Sequence, residues 1–97
     1  VRNLLIRPLA EADLIGIWRY TAGQWGEAQA DTYLDEIDAI LQHIKSNPLI
    51  GSDCGDVRPG YRKAAAGSHR IFYRCDAETV EVVRILHARM DVDGQIP

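Results

Sequence analysis

Long apolar runs are missing from this 97-residue chain: none exceeds four residues, so no segment could cross a bilayer as a helix. No basic stretch followed by an apolar core opens it, so a secretion signal is not expected. Cysteine is scarce. Two residues, Cys54 and Cys75, make no disulfide framework and have no zinc-like spacing. No glycine-rich loop follows a strand, which argues against nucleotide binding. Internal repeats and low-complexity tracts are absent. Lysine is nearly so, with only Lys45 and Lys63. These absences predict a reduced, cytoplasmic protein with no metal, no cofactor and no membrane contact.

What is present is ordinary for a folded chain: 46% hydrophobic and 26% charged residues. The length suits a single domain spanning 1–97. The net charge of −3 hides an asymmetry, because residues 1–56 carry −5 and residues 57–97 carry +2. Arg58, Arg62, Lys63, Arg70 and Arg74 occur with no acid among them. Such a segment suits an anionic partner, either an acidic protein segment or a nucleic acid; it also suits a solvated sheet face.

Local patterns place the elements. Arg2 to Arg7 is a short strand signal, with Leu4 and Ile6 on one face and Pro8 as its stop. Pro8 suits the first turn of a helix whose stripe is Leu14, Ile17, Trp18 and Thr21. Gly23 breaks that pattern, and Trp25-Gly26 reads as a corner. From Glu27 to Ser46 the residues Ala30, Tyr33, Leu34, Ile37, Ile40, Leu41 and Ile44 form a second apolar stripe, ended by Asn47-Pro48. So short a connection predicts an antiparallel helical hairpin. Leu49 to Gly60 reads as a loop. Tyr61 to Ala66, His69 to Cys75 and Thr79 to His87 read as strands, joined by turns at Gly67-Ser68 and Asp76-Ala77-Glu78. Asp91 to Pro97 reads as a polar tail.

The expected fold is therefore α+β in two layers: an N-terminal strand, an antiparallel helical hairpin, then a three-stranded antiparallel meander. The helical stripes should cover one sheet face. The other should stay partly open as a docking surface. One of the two tryptophans, Trp18 or Trp25, should be exposed.

The order and wording of these segments resemble one family. Leu9-Ala10-Glu11-Ala12-Asp13-Leu14 with Ile17 and Tyr20, then Trp25-Gly26, Gln29-Ala30 and Tyr33, resembles the helical hairpin of the ParE toxins. Pro48 with Gly51, Gly60-Tyr61-Arg62-Lys63 and Gly67 through Arg74 are similar to the family's middle, and Arg84-Ile85-Leu86-His87-Ala88-Arg89-Met90-Asp91 to its end. The likeness covers nearly the whole chain. It implies the β-α-α-β-β-β fold of the ParE/RelE superfamily and a toxin of a bacterial type II toxin–antitoxin system. It further implies DNA gyrase as the target and a ParD-type antitoxin, itself dimeric, as partner in a hetero-oligomer. No sequence-specific DNA binding is expected of this chain. The sequence departs from the family at Ala64-Ala65-Ala66, at Arg70, where an aliphatic residue is common, and in the tail after Asp91.

The resemblance and the basic segment together single out Arg58, Arg62, Lys63, His69, Arg70, Tyr73, Arg84, His87, Arg89 and Asp91 as candidate contacts to antitoxin or target. Arg84 and Arg89 could pair with Asp91 or with an antitoxin carboxylate. No catalytic residue is assigned. The competing reading is a RelE-type, ribosome-dependent messenger RNA endonuclease. It would need a base, a phosphate-holding cation and an acid, and Arg62, Lys63, His69, Arg70, Tyr73, Arg84 and His87 offer those types. The acidic polar side of the long helix and the two lysines make a poor surface for RNA phosphates. A third reading is a relic that only binds its antitoxin.

Overall fold

The computed structural model describes residues 2–97. Strand β1 (Asn3–Ile6) leads into α1 (Pro8–Trp25) and α2 (Glu27–Ser46). A single 3-10 turn (Pro48–Ile50) precedes β2 (Ser52–Asp53), and β3 (Arg62–Ala66), β4 (His69–Cys75) and β5 (Thr79–His87) follow. The strands form one sheet in the order β1-β5-β4-β3-β2.

The expected α+β architecture is present, with three differences. First, β1 joins β5 in parallel, Asn3 opposite Thr79 and Ile6 opposite Val82, so the sheet is mixed. The two helices supply the crossover that a parallel pair requires. Second, two residues of the expected loop, Ser52 and Asp53, pair antiparallel with Lys63 and Arg62 as an edge strand. Third, α1 runs through Gly23 to Trp25, and Gly26 alone makes the corner. Its N–H donates to the Ala22 carbonyl, and its own carbonyl accepts the N–H of Ala30. One residue thus closes one helix and opens the next, at a φ of 94° that favours glycine.

The predicted α2 stripe enters the core, and of the α1 stripe Leu14 and Ile17 do, while Trp18 lies outside it. Ala10 and Ile17 of α1 meet Ile37, Leu41 and Ile44 of α2 over Ile71 and Tyr73 of β4 and Val80, Val82 and Ile85 of β5. Burial of each Ile or Val contributes about 1.5–3 kcal/mol. A bulge interrupts simple alternation in β5: Phe72 faces Arg84 and Tyr73 faces Val82, which leaves Val83 as the extra residue. Val82 and Ile85 can therefore both enter the helix-side core, while Val83 and Leu86 enter a second one.

That second core overturns the expectation of an open sheet face. Phe72, Val83 and Leu86 are covered there by Cys54 and Tyr61 from the β2–β3 connection and by Ile96 from the tail. The tail is not simply polar: Ile96 is 3% exposed. Arg58 donates to the Ile96 carbonyl (2.9 Å) and Arg84 to that of Gln95 (2.7 Å), which holds residues 95 and 96 on the sheet.

Beyond Val82 the edge of β5 has no strand beside it. Asp13 of α1 closes it, its carboxylate accepting the Ile85 N–H (2.9 Å) and two bonds from the Arg84 guanidinium (2.8 and 2.9 Å). Arg84 thus pairs with Asp13, not with Asp91.

Candidate functional site

The end of β5 and the two helices leave a groove of about 650 Å³. One wall is α1, the other the start of α2 with Ser68, His69 and His87 of the strands; Ile17 and Ile85 lie between them. Gly16 lines it beside open space: a Cβ there would meet nothing within 4 Å. Tyr20 (65% exposed) and Trp25 (66% exposed) stand at its rim, edge to face with ring centroids 6.3 Å apart. Met90, half exposed, lines the same groove. Two exposed aromatic rings and a methionine beside an open apolar trough are typical anchors for a protein partner. Trp25 is therefore the exposed indole. Trp18 instead donates its Nε1–H to Asp31 (2.8 Å).

A polar cluster lies on the sheet side of the groove. His69 and His87 are register partners on β4 and β5, and their rings meet edge to face at 5.3 Å. The Tyr33 hydroxyl lies 2.7 Å from His69 Nδ1, donates to the Ala66 carbonyl (3.2 Å) and accepts the Ser68 N–H (3.0 Å). Gly67 makes this possible: it takes the left-handed turn (φ 60°), and a Cβ there would press on the Tyr33 ring at 2.6 Å. Burial, reinforced by His87, moves the His69 imidazole below its ordinary value of 6.5, against a weaker upward pull from Asp13. The His87 Nδ1 accepts the Arg89 N–H (3.1 Å).

Of the residues singled out from sequence, the fold gathers only His69 and His87 at this groove. Tyr73 is corrected: it is fully buried and reaches no partner. Its hydroxyl donates to the Pro48 carbonyl (2.5 Å) and accepts the Gly51 N–H (3.0 Å), and burial pushes it above the ordinary phenol value. Arg58 and Arg84 hold the tail, and Arg62 donates to the Gly51 carbonyl (2.6 Å). Arg74 is bound to Glu81 (2.6 Å). Arg70 is half-buried and donates to the His69 carbonyl (3.1 Å). Lys63, Arg89 and Asp91 are exposed. The basic segment is thus divided among several separate contacts. Sequence reasoning missed Gly16, Thr21 and Tyr33 as parts of one site. Tyr20, Tyr33, Trp25 and Met90 stood in the quoted motifs, but nothing in their spacing brings them together.

Among the described residues no Lys or Arg side chain lines the groove. Among the described residues no group of three or more His, Cys, Asp or Glu side chains is placed to hold a metal ion, and no helix is long and apolar enough to cross a membrane.

The profile of the ParE toxin of type II toxin–antitoxin systems (parDE) matches residues 4–92. The chain is 50% identical over 93 residues to Toxin ParE1 of Mycobacterium tuberculosis, covering 95% of each. Its fold is similar to that of a chain in the chromosomal ParDE toxin–antitoxin system of P. aeruginosa, with a TM-score of 0.78 at 18% identity over 89% of this chain and 95% of that one. A chain of the toxin–antitoxin complex RelBE2 of M. tuberculosis gives a TM-score of 0.69 at 20% identity, over 89% of this chain and 96% of that one.

Proposed function

The chain belongs to the ParE toxin family of type II toxin–antitoxin systems, and from that premise we propose that it poisons DNA gyrase by binding and is neutralised by a ParD-type antitoxin seated in the groove between α1, α2 and the ends of β4 and β5. The observation that carries the antitoxin half is the groove itself, open and apolar, with Tyr20, Trp25 and Met90 exposed around it. An amphipathic segment laid there would bury those side chains, and a segment that orders on binding can wrap further surface. A hetero-oligomer follows.

Non-catalytic action is supported by what surrounds the histidines. The Nδ1 atoms of His69 and His87 are engaged by Tyr33 and by the Arg89 backbone, and among the described residues the groove's lining holds no guanidinium or ammonium for a phosphate. The second reading, a RelE-type endonuclease, is favoured by one observation, the adjacent imidazoles 5.3 Å apart. Purified chain should inhibit gyrase supercoiling and leave ribosome-bound messenger RNA intact, and the antitoxin should relieve the inhibition. Messenger RNA cleavage with untouched supercoiling would select the nuclease. Gly16→Trp, which fills the groove, should abolish antitoxin capture; unchanged capture would place the antitoxin elsewhere.

A further inference from the structure

We propose that His69 and His87 make the groove a pH-sensitive seat, which holds its antitoxin at neutral pH and loosens when the cell interior acidifies. The inference rests on the reading of the groove as the antitoxin site, and it names a regulation of that site.

The geometry puts two imidazoles side by side on one wall of a mainly apolar trough. They are cross-strand partners, edge to face, and neither makes an ion pair with a carboxylate among the described residues. The titratable side chains lining the groove are Asp13 and Tyr20 of α1, Tyr33 of α2, His69 of β4 and His87 of β5. Asp13 is the only acid among them, and its carboxylate is already committed to Arg84 and the Ile85 N–H. Among the described residues lining the groove, the one counter-charge to the pair is thus Asp13, whose upward pull on His69 is weaker than the effects of burial and of His87.

Protonation also breaks local structure. His87 accepts the Arg89 N–H at Nδ1, and a doubly protonated ring cannot accept it. That bond supports the turn leading to Met90, which lines the groove. His69 is already held toward its neutral form by burial and by its neighbour.

The sign of the effect follows from linkage. A partner that covers the rings with apolar side chains desolvates them further, so the complex binds protons less readily than the free chain. Affinity must then fall as pH drops through the range where the free chain takes them up. One unit of further depression corresponds to a factor of about ten at pH values well below the free-state value.

The test is calorimetric titration of the full chain with a ParD-type antitoxin that binds it at neutral pH, at about pH 7.5 and about pH 5.5, the range over which imidazoles titrate. Affinity should weaken roughly tenfold or more on acidification. The variant H69N/H87N keeps a hydrogen-bonding group near each Nδ1 but does not titrate. It should lose the pH dependence, whatever its affinity at neutral pH. Wild-type affinity that is flat or rises with acidity overturns the proposal, as does an unchanged slope in H69N/H87N. Circular dichroism at both pH values must show each protein folded, and NMR titration should place the His69 ring at a lower value in the complex than in the free chain. Failure of the underlying reading is separate: it shows as antitoxin binding at neutral pH that Gly16→Trp does not disturb.

Discussion

Replacing Asp13 by alanine should destabilise the fold far more than removal of a surface acid. The Asp13 carboxylate accepts three hydrogen bonds, two from Arg84 and one from the Ile85 N–H at the uncovered edge of β5. Its side chain and that of Arg84 are 16% and 15% exposed. Breaking a fully buried pair costs about 3–5 kcal/mol, and exposed pairs are worth about 0–1 kcal/mol. A pair this well covered, discounted for residual solvent, should cost about 2–3 kcal/mol when one partner is removed. For a chain of this size that lowers Tm by roughly 10–20 °C. Asp13→Asn should cost less, because its amide oxygen can still serve Ile85. The measurement is a double-mutant cycle of D13A, R84A and the double variant by thermal and urea unfolding. The coupling energy should be about 1.5–2 kcal/mol. A coupling below about 0.5 kcal/mol would refute the assignment of Arg84 to this structural link and return it to the candidate partner contacts. Loss of toxicity in R84A would then no longer be explained by instability.

Three further outcomes are expected. Tyr73→Phe should lower stability by about 1–3 kcal/mol in urea unfolding, because it orphans the Gly51 N–H and the Pro48 carbonyl inside the fold. Ile96→Ala should cost about 2–4 kcal/mol and raise binding of a hydrophobic dye, since Ile96 covers Phe72, Val83 and Leu86; a neutral result would mean the tail does not stay on the sheet. The His69 value in the fold lies below the ordinary 6.5, so the unfolded chain binds more protons there. Stability contributed by neutral His69 should be fully present above that ordinary value and decline as pH falls through the folded-state value. Tm of wild type measured against pH should show this decline, and H69N should show less of it.

Much of the fold was legible along the chain. Period-3.6 apolar spacing marked both helices, and β-branched runs bounded by turn residues marked β4 and β5, because these patterns state which face of an element is apolar. Pro8 and Asn47-Pro48 marked a helix start and a helix end for local steric reasons. The same local reasoning misread Gly23, since a helix tolerates a glycine at a cost of about 1 kcal/mol when its neighbours pack well. What a stripe meets is not written in its spacing. That β1 lies parallel beside β5, and that Asp13 then closes the edge β1 leaves, depends on the crossover path of both helices. The bulge at Val83 and the burial of Ile96 depend on contacts across the sheet, and a lone isoleucine in a polar tail carries no period. The groove is the plainest case. Its floor runs past open space at Gly16, its wall comes from a register that sets His69 against His87, and its rim from Tyr20 and Trp25 of α1 and Met90 beyond β5, far apart in the chain. Sequence patterning encodes which surfaces seek burial; only the packed chain determines which of them are left without a cover.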